Sequence, residues 1–520
     1  MRRLFPGRDG AWLRRVTPAL AALALVSGCD LAPRYDPPHE LLPADYAGSG
    51  PFGVAHPADT LPRGPWWTMF GDPLLDRLED QAVAGNPDLA TYAEQYVQAR
   101  DLAAEARANL FPQIGANLSS TDNRQSIHKL FRTGDSGPNE ASSNEIEGTA
   151  SWEPDFWDRI RNQTRLQKRL AQASAANLAN ARLSLQAELA DDYVALRGLD
   201  SQSAVYVQSI GFYRKAVEIT SLRLAGKIAS GLDVARAQNQ LAATQALETG
   251  VVAQRAVLQH AIAVLVGVTP SSFAIAPVDD ARLTVPRVPS GVPSQLLQRR
   301  PDIASAERQM AAANAGIGVS RAAFYPDINI SLTGGFEDTG FNLASLPNSL
   351  WTIGAGAMLP LFEGGLRRAE LQRSWSQYAQ TRDAYRSIVL SAFQEVEDGL
   401  TLTTQLQAEA QQQAQAVTSA EQAQTITLQL YTGGLTNYLD AVVAQVTALT
   451  ARIAEVQVET QRVQATVDLV RALGGGWSMD DLPSENGVLP FQPLAVIGSD
   501  RRPRPDGTGA GNAEASYPGT

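Results

Sequence analysis

Few side chains in this 520-residue chain have the type and spacing to do chemistry. Its one cysteine, Cys29, follows Leu25-Val26-Ser27-Gly28, small residues that close a short apolar core behind the positive start Arg2, Arg3, Arg14 and Arg15. That order reads as a secretory signal peptide over residues 1–28, and its end resembles a lipoprotein box, where cleavage exposes the cysteine for diacylation. Each buried methylene of such a lipid adds ~0.8 kcal/mol to membrane binding. With that thiol consumed, the mature chain has none left for a disulfide or a thiolate metal site. A covalent lipid on Cys29 is expected, and no other cofactor. Two carboxylates stand just beyond glycines: Asp440 closes Tyr431-Thr432-Gly433-Gly434-Leu435-Thr436-Asn437-Tyr438-Leu439-Asp440, and Asp233 follows Gly226 and Gly231. Such a carboxylate can cap a returning helix or line a constriction. His39, His56, His128 and His260 are scattered, and HExxH, GxSxG, P-loop and GxGxxG patterns are missing, so neither an enzyme nor a metal centre is expected.

The chain carries 43 Lys and Arg against 54 Asp and Glu, a net charge of −11. That balance argues against a nucleic-acid partner, which calls for clustered excess cations. A mean hydropathy of −0.16, with no apolar run of eighteen residues, excludes a polytopic helical membrane protein.

Proline marks the elements. None occurs among the 115 residues from Asp155 to Thr269, nor among the 122 from Leu361 to Leu482. A proline inside a helix costs about 3 kcal/mol, so these Ala-, Gln-, Leu- and Glu-rich tracts read as long helices. Leu178, Leu185, Leu189 and Leu196 form a coiled-coil-like seam, which Leu258, Ile262 and Leu265 continue. A helix from Arg159 to Leu224 would reach ~100 Å at about 1.5 Å per residue, which implies a rod, bundle or tube. Gly226 and Gly231 in one tract, and Gly433 and Gly434 in the other, are expected to supply the left-handed or tight-turn geometry that reverses each helix.

The tracts belong to a duplication. Pro87-Asp88 matches Pro301-Asp302, Phe111-Pro112-Gln113-Ile114 matches Tyr325-Pro326-Asp327-Ile328, and Gly226, Leu232-Asp233 and Gly267 match Gly433, Leu439-Asp440 and Gly474. Before each hairpin lie two alternating stretches. Ile146, Gly148, Ala150 and Trp152 share one face, as do Ile328, Ile330, Leu332 and Phe336, and Trp351, Ile353, Ala355 and Ala357; Ile114, Ala116 and Leu118 begin a weaker one. Each approaches the ~9–11 residues of a tilted transmembrane strand. Phe111, Trp152, Phe324, Tyr325, Phe336 and Trp351 cluster at the ends, as interfacial aromatics do. The plainer reading is a soluble sheet over a core. Four strands cannot close a barrel, so strands in a membrane require several chains.

These residues resemble the TolC-like outer-membrane factors, the NodT-type efflux lipoproteins of Gram-negative tripartite pumps. The resemblance rests on Cys29-Asp30-Leu31-Ala32-Pro33, on Trp66-Trp67-Thr68-Met69-Phe70-Gly71-Asp72-Pro73 with Asn86-Pro87-Asp88-Leu89, on Pro360-Leu361-Phe362-Glu363-Gly364-Gly365, and on Ala472-Leu473-Gly474-Gly475-Gly476-Trp477. It covers roughly residues 29–480. It implies a mainly α fold with a small β part, in which two tandem repeats of long helical hairpins and strand pairs trimerise into a 12-stranded outer-membrane barrel on a periplasmic helical tube. It implies a drug- or toxin-efflux channel as a homotrimer held in outer-membrane lipid. The partners would be a periplasmic adaptor docking at Gly226, Gly231, Gly433 and Gly434, and an RND-type inner-membrane transporter. Asp440, and its repeat equivalent Asp233, would line the pore constriction; for Asp233 a plain helix cap is the equal alternative. Asp30 resembles the acidic mark that holds enteric lipoproteins in the inner membrane. A pore-less adaptor or structural lipoprotein, and within the channels a type I secretion or metal-efflux member, are the alternatives.

The expected layout is a signal peptide at 1–28, a lipid-anchored belt segment at 29–73, and a first repeat at 74–275 with strands near 113–122 and 145–153 and a hairpin near 159–267. A linker at 276–297 leads to a second repeat at 298–478, with strands near 327–336 and 351–360 and a hairpin near 364–473. A disordered tail is expected over 479–520, and extracellular loops over 121–144 and 337–350.

Overall fold

The computed structural model describes residues 30–37, 64–124, 126, 140–279, 285–286, 288, 298–343 and 345–489. The signal peptide and Cys29 lie outside the described residues, as do His39, His56, His128 and most of the inter-repeat linker.

Helix α1 (Pro73–Gly85) and helix α2 (Pro87–Ala108) begin alike, with a capping side chain and proline at the first helical position. Asp72 accepts from the Leu74 amide at 2.8 Å and Asn86 from the Leu89 amide at 2.9 Å, filling donors that the first turn leaves open. Strands β1 (Gln113–Arg124) and β2 (Glu140–Trp152) follow, then the 67-residue helix α3 (Arg159–Ala225) and the 35-residue return helix α4 (Gly231–Leu265). The second half runs in the same order: α5 (Pro301–Ala322), β3 (Asp327–Asp338), β4 (Ser349–Met358), α6 (Leu366–Thr432, again 67 residues) and α7 (Tyr438–Ala472, again 35). The proline-free tracts thus became hairpins of one very long and one shorter helix. At about 1.5 Å per residue each long helix spans ~100 Å.

The four strands form one antiparallel sheet in the order β1-β2-β3-β4. The register places Leu118 opposite Ile146, Ile146 opposite Phe336, and Leu332 opposite both Ala150 and Ile353, so the apolar positions share a face. Glu145, Glu147 and Glu337 lie on the other, where Asn117 and Ser143 donate to Glu147 and Glu337. The strands outrun the alternating stretches: β1 and β2 continue to Arg124 and back to Glu140, so the first four and last five residues of the loop expected over 121–144 are paired strand. Its polar pairs, Ser120 with Asn144 and Ser142 with Asp122, hydrogen-bond across the strands without an apolar rhythm.

The main core sits where the hairpins' upper halves meet α1. Trp66, Trp67 and Phe70 form a 3₁₀ turn whose rings pack edge to face at 6.0 and 6.3 Å, against Leu75 and Leu78 of α1, Leu189, Tyr193 and Leu196 of α3, Ile262 of α4 and Val467 and Leu469 of α7. A buried polar chain fastens this core. Tyr193 donates to Asp72 at 2.6 Å, Arg197 donates to the Tyr193 hydroxyl at 3.0 Å and to Asp200 at 2.9 Å, and Arg255 of α4 also binds Asp200. Gly267 and Gly474 close the two return helices with φ of +78° and +95°, and a Cβ on either would fall 2.1 Å from a carbonyl oxygen, that of Gly85 for the first and of Arg299 for the second.

The tail expected to be disordered is structured over its first part. A short helix α8 (Glu485–Val488) brings Val488 and Leu489 against Ala103 and Ala171, and Arg100 and Arg107 of α2 donate to the Val488 and Leu489 carbonyls at 3.2 Å. Two apolar side chains and a row of receptive arginines outweighed the Pro- and Gly-rich composition.

Glu79 on α1 is fully buried, and among the described residues neither carboxylate oxygen has a hydrogen-bond partner. Burial, with Asp80 and Asp76 adding to it and Arg182 opposing, pushes its pKa up to about 9. The folded carboxyl therefore stays protonated while the unfolded one ionises above about 4.5, so its contribution turns unfavourable as pH rises from there toward 9. Glu79→Gln should raise the thermal midpoint at pH 8, read from fluorescence of the core tryptophans, and leave it unchanged at pH 4; an equal or lower midpoint at pH 8 would refute the buried neutral acid.

Candidate functional site

The residues singled out by the sequence gather at the two helix reversals, far along the hairpins from the sheet. Each long helix ends in a Schellman motif. In the first, the Lys227 amide donates to the Leu224 carbonyl at 2.9 Å and the Ile228 amide to the Arg223 carbonyl at 2.8 Å; in the second, Gly434 donates to Tyr431 at 3.0 Å and Leu435 to Leu430 at 2.8 Å. The motif needs one left-handed residue. Gly434 supplies it with φ of +75°, but in the first turn the position belongs to Lys227, with φ of +56°. Gly226 and Gly433 both sit at φ −74°, inside right-handed space, and Gly231 simply opens α4. Of the four glycines expected to supply left-handed or tight-turn geometry, Gly434 alone takes the left-handed conformation, because a Schellman cap places positive φ one residue after the helix cap, and Gly226 and Gly433 are those caps.

Asp233 and Asp440 occupy the same place, three residues past the cap of each return helix. Asp233 completes a capping box, its amide donating to Ser230 Oγ and its carboxylate accepting from the Ser230 amide, both at 3.3 Å. Asn437 Oδ1 caps the Asp440 amide at 3.1 Å, and the Asp440 carboxylate accepts from the Thr436 hydroxyl. Asp440 is exposed and Asp233 half-buried. Among the described residues no hydrogen bond joins the two. Both carboxylates therefore hold their turns locally, and Asp440 is the more exposed of the two residues.

What joins the hairpins is a set of side chains that pattern reading missed. Arg223 Nη1 donates to the Tyr431 carbonyl at 2.8 Å and its guanidinium lies 4.7 Å from the Tyr431 ring centre. Tyr431 packs on Tyr438 with centroids 5.2 Å apart, over Ala237 and Ala441. Burial, with Tyr431, Tyr213 and Asp233 adding to it, pushes the Tyr438 hydroxyl up to about 12. Burial also raises Tyr431, which Arg223 opposes and Asp233 assists, and the Tyr431 hydroxyl has no partner among the described residues. Two tyrosines flanking a glycine turn, one turn of helix on either side, were the available signal. No three of His, Cys, Asp and Glu are placed to hold a metal ion among the described residues.

The outer membrane efflux protein family model matches residues 78–268 and 292–475, so the chain belongs to that family. It is 32% identical over 428 residues to the pyoverdine export outer membrane protein OpmQ of Pseudomonas aeruginosa, covering 80% of this chain and 88% of that one. Outer membrane protein OprJ of the same species is 30% identical over 480 residues, 89% of this chain and 96% of that one. Among solved structures, the outer-membrane channel OprN superposes with a TM-score of 0.80 at 27% identity, over 86% of this chain and all of that one. The chain is an outer-membrane protein of the efflux-channel class.

Positive φ costs a non-glycine residue about 1 kcal/mol. Gly434→Ala should therefore speed hydrogen exchange of amides 429–437 by about fivefold, while Gly226→Ala, whose Cβ would meet only ordinary contacts from 3.5 Å, leaves amides 222–230 unchanged. The reverse ranking would overturn the assignment of the left-handed position.

Proposed function

We propose that three copies of this chain assemble into one outer-membrane efflux channel, each giving four strands to a 12-stranded barrel and four helices to a tube through the periplasm. The observation that carries this reading is the sheet itself. Ile114, Leu118, Trp351 and Ile353 are 84%, 75%, 74% and 68% exposed on one face, and β1 and β4 each have one edge without a strand partner among the described residues. In hydrocarbon such edges must be paired, and a second and third copy close the ring.

The helices support the same assembly. Val207, Leu222, Val257 and Val264 are exposed on the first hairpin. Helix α7 is apolar enough by composition to cross a membrane, yet it runs antiparallel to α6 with only 22% of its most apolar window buried, so neighbouring copies would cover it. The apolar tips, with Ile228 at 72% and Leu435 at 78% exposure, offer a docking surface for a periplasmic adaptor, which would link the channel to an inner-membrane transporter of the RND type. Gly226, Gly231, Gly433 and Gly434 keep that surface free of bulk. A lipid on Cys29 would tether the assembly to the outer membrane, and no catalytic step is required. The pore conducts small molecules outward; OpmQ is named for pyoverdine export, a precedent for this cargo class.

Gating is assigned to Asp440. Three exposed carboxylates around a narrow opening repel one another and attract cations. Asp233, tied into its capping box, plays the lesser part. Asp440→Ala should raise single-channel conductance in planar bilayers and weaken block by divalent cations. Unchanged conductance and block would sink the gate assignment.

A further inference from the structure

Residues 30–37 lie extended along α5, running in the opposite direction. Arg321 donates to the Leu31 carbonyl at 3.1 Å, Asn314 to the Pro33 carbonyl at 2.8 Å, and the Tyr35 hydroxyl to Glu307 Oε1 at 2.6 Å. The seat is shaped for this strap: a Cβ on Gly318 would fall 2.8 Å from Ala32 Cβ and 2.6 Å from Asn162 Nδ2. At its upper end the Asp30 carboxylate takes three donors. Oδ1 accepts from the Ala32 amide at 3.0 Å and from the fully buried Asn162 at 3.1 Å, and Oδ2 from Arg165 Nη1 at 2.6 Å. Burial opposes the charge on Asp30, yet the Ala32, Asn162 and Arg165 contacts together hold its pKa below the ordinary value.

Arg165 is shared. Its other nitrogen binds the buried Asp158 at 3.2 Å, the residue that turns the chain from β2 into α3. Arg165 lies six residues past the start of α3, so Asp30 is held ~9 Å along the helix from its first residue, which follows the lower rim of the sheet by the short segment 153–158. That rim carries Trp152, Phe324 and Tyr325, the last stacked on Trp157 with centroids 4.7 Å apart. An interfacial aromatic band belongs at the level of lipid headgroups.

We propose that Asp30 is a positioning residue: it buckles the strap to α3 and so fixes the height at which the chain's amino end meets the headgroups and acyl chains of the adjoining lipid leaflet. The lipid half of this statement rests on the reading of Cys29 as acylated; the buckle does not. In the folded protein the Asp30 carboxylate is a structural ligand with its donors in place.

The test is hydrogen exchange on the full-length protein in nanodiscs, followed on peptides covering 30–37 and 159–180, with the mass of the amino-terminal peptide read from the same digests. Losing a charge-assisted hydrogen bond is worth on the order of tenfold in local opening. Asp30→Ala should speed exchange of 31–37 by at least about tenfold, with 159–180 unchanged, and Asp30→Asn, which keeps a neutral acceptor for the Ala32 amide and Asn162, should fall between it and the wild type. Unchanged exchange in Asp30→Ala would overturn the buckle, and so would an Asp30→Asn variant no better protected than Asp30→Ala. If the wild-type peptide lacks a lipid mass while the strap still depends on Asp30, the acylation reading fails and the buckle stands.

Discussion

Each backbone amide or carbonyl left unpaired in hydrocarbon costs several kcal/mol, and an open four-stranded sheet presents two whole edges of them. That constraint organises everything else. One face of the β1–β4 sheet is apolar and exposed, and in the proposed assembly that face meets lipid while copies of the sheet pair its edges. The long hairpins inherit the same requirement: their exposed Val and Leu positions have no cover within one chain. Burial inside the protomer is concentrated instead around the tryptophan turn and α1, where both hairpins are clamped.

The clamp is polar as well as apolar. The chain from Asp72 through Tyr193, Arg197 and Asp200 to Arg255 joins α1, α3 and α4 in one buried network. Paired in this way, buried charges fix geometry more than they add stability. Beyond the clamp the hairpins touch at their tips through Arg223, Tyr431 and Tyr438, a small aromatic and cationic contact. Between clamp and tips, Tyr206, Tyr213 and Val251 of the first hairpin also pack on Leu449 of the second.

Much of this was legible in the sequence. Absence of proline marked both hairpins to within a few residues, because a single proline would break either helix. Alternation found the apolar-faced core of each strand but stopped short on β2, since the polar pairs from Asn144 outward keep the ladder without an apolar face. Composition misread the start of the tail, where Val488 and Leu489 dock on α2 and α3. At the tips, glycine content pointed to the right turns but gave no sign of Lys227, which accepts the left-handed position that Gly434 fills in the other half. The Arg223–Tyr431 contact joins residues from two hairpins, and no local pattern encodes such a pairing.

The central claim is that the chain is complete only as three. The most direct measurement is native mass spectrometry of the protein extracted from outer membranes in mild detergent, with the same sample reconstituted into planar bilayers. The account predicts a species of three chains that conducts ions. A stable monomer, or a trimer with no conductance, would contradict it.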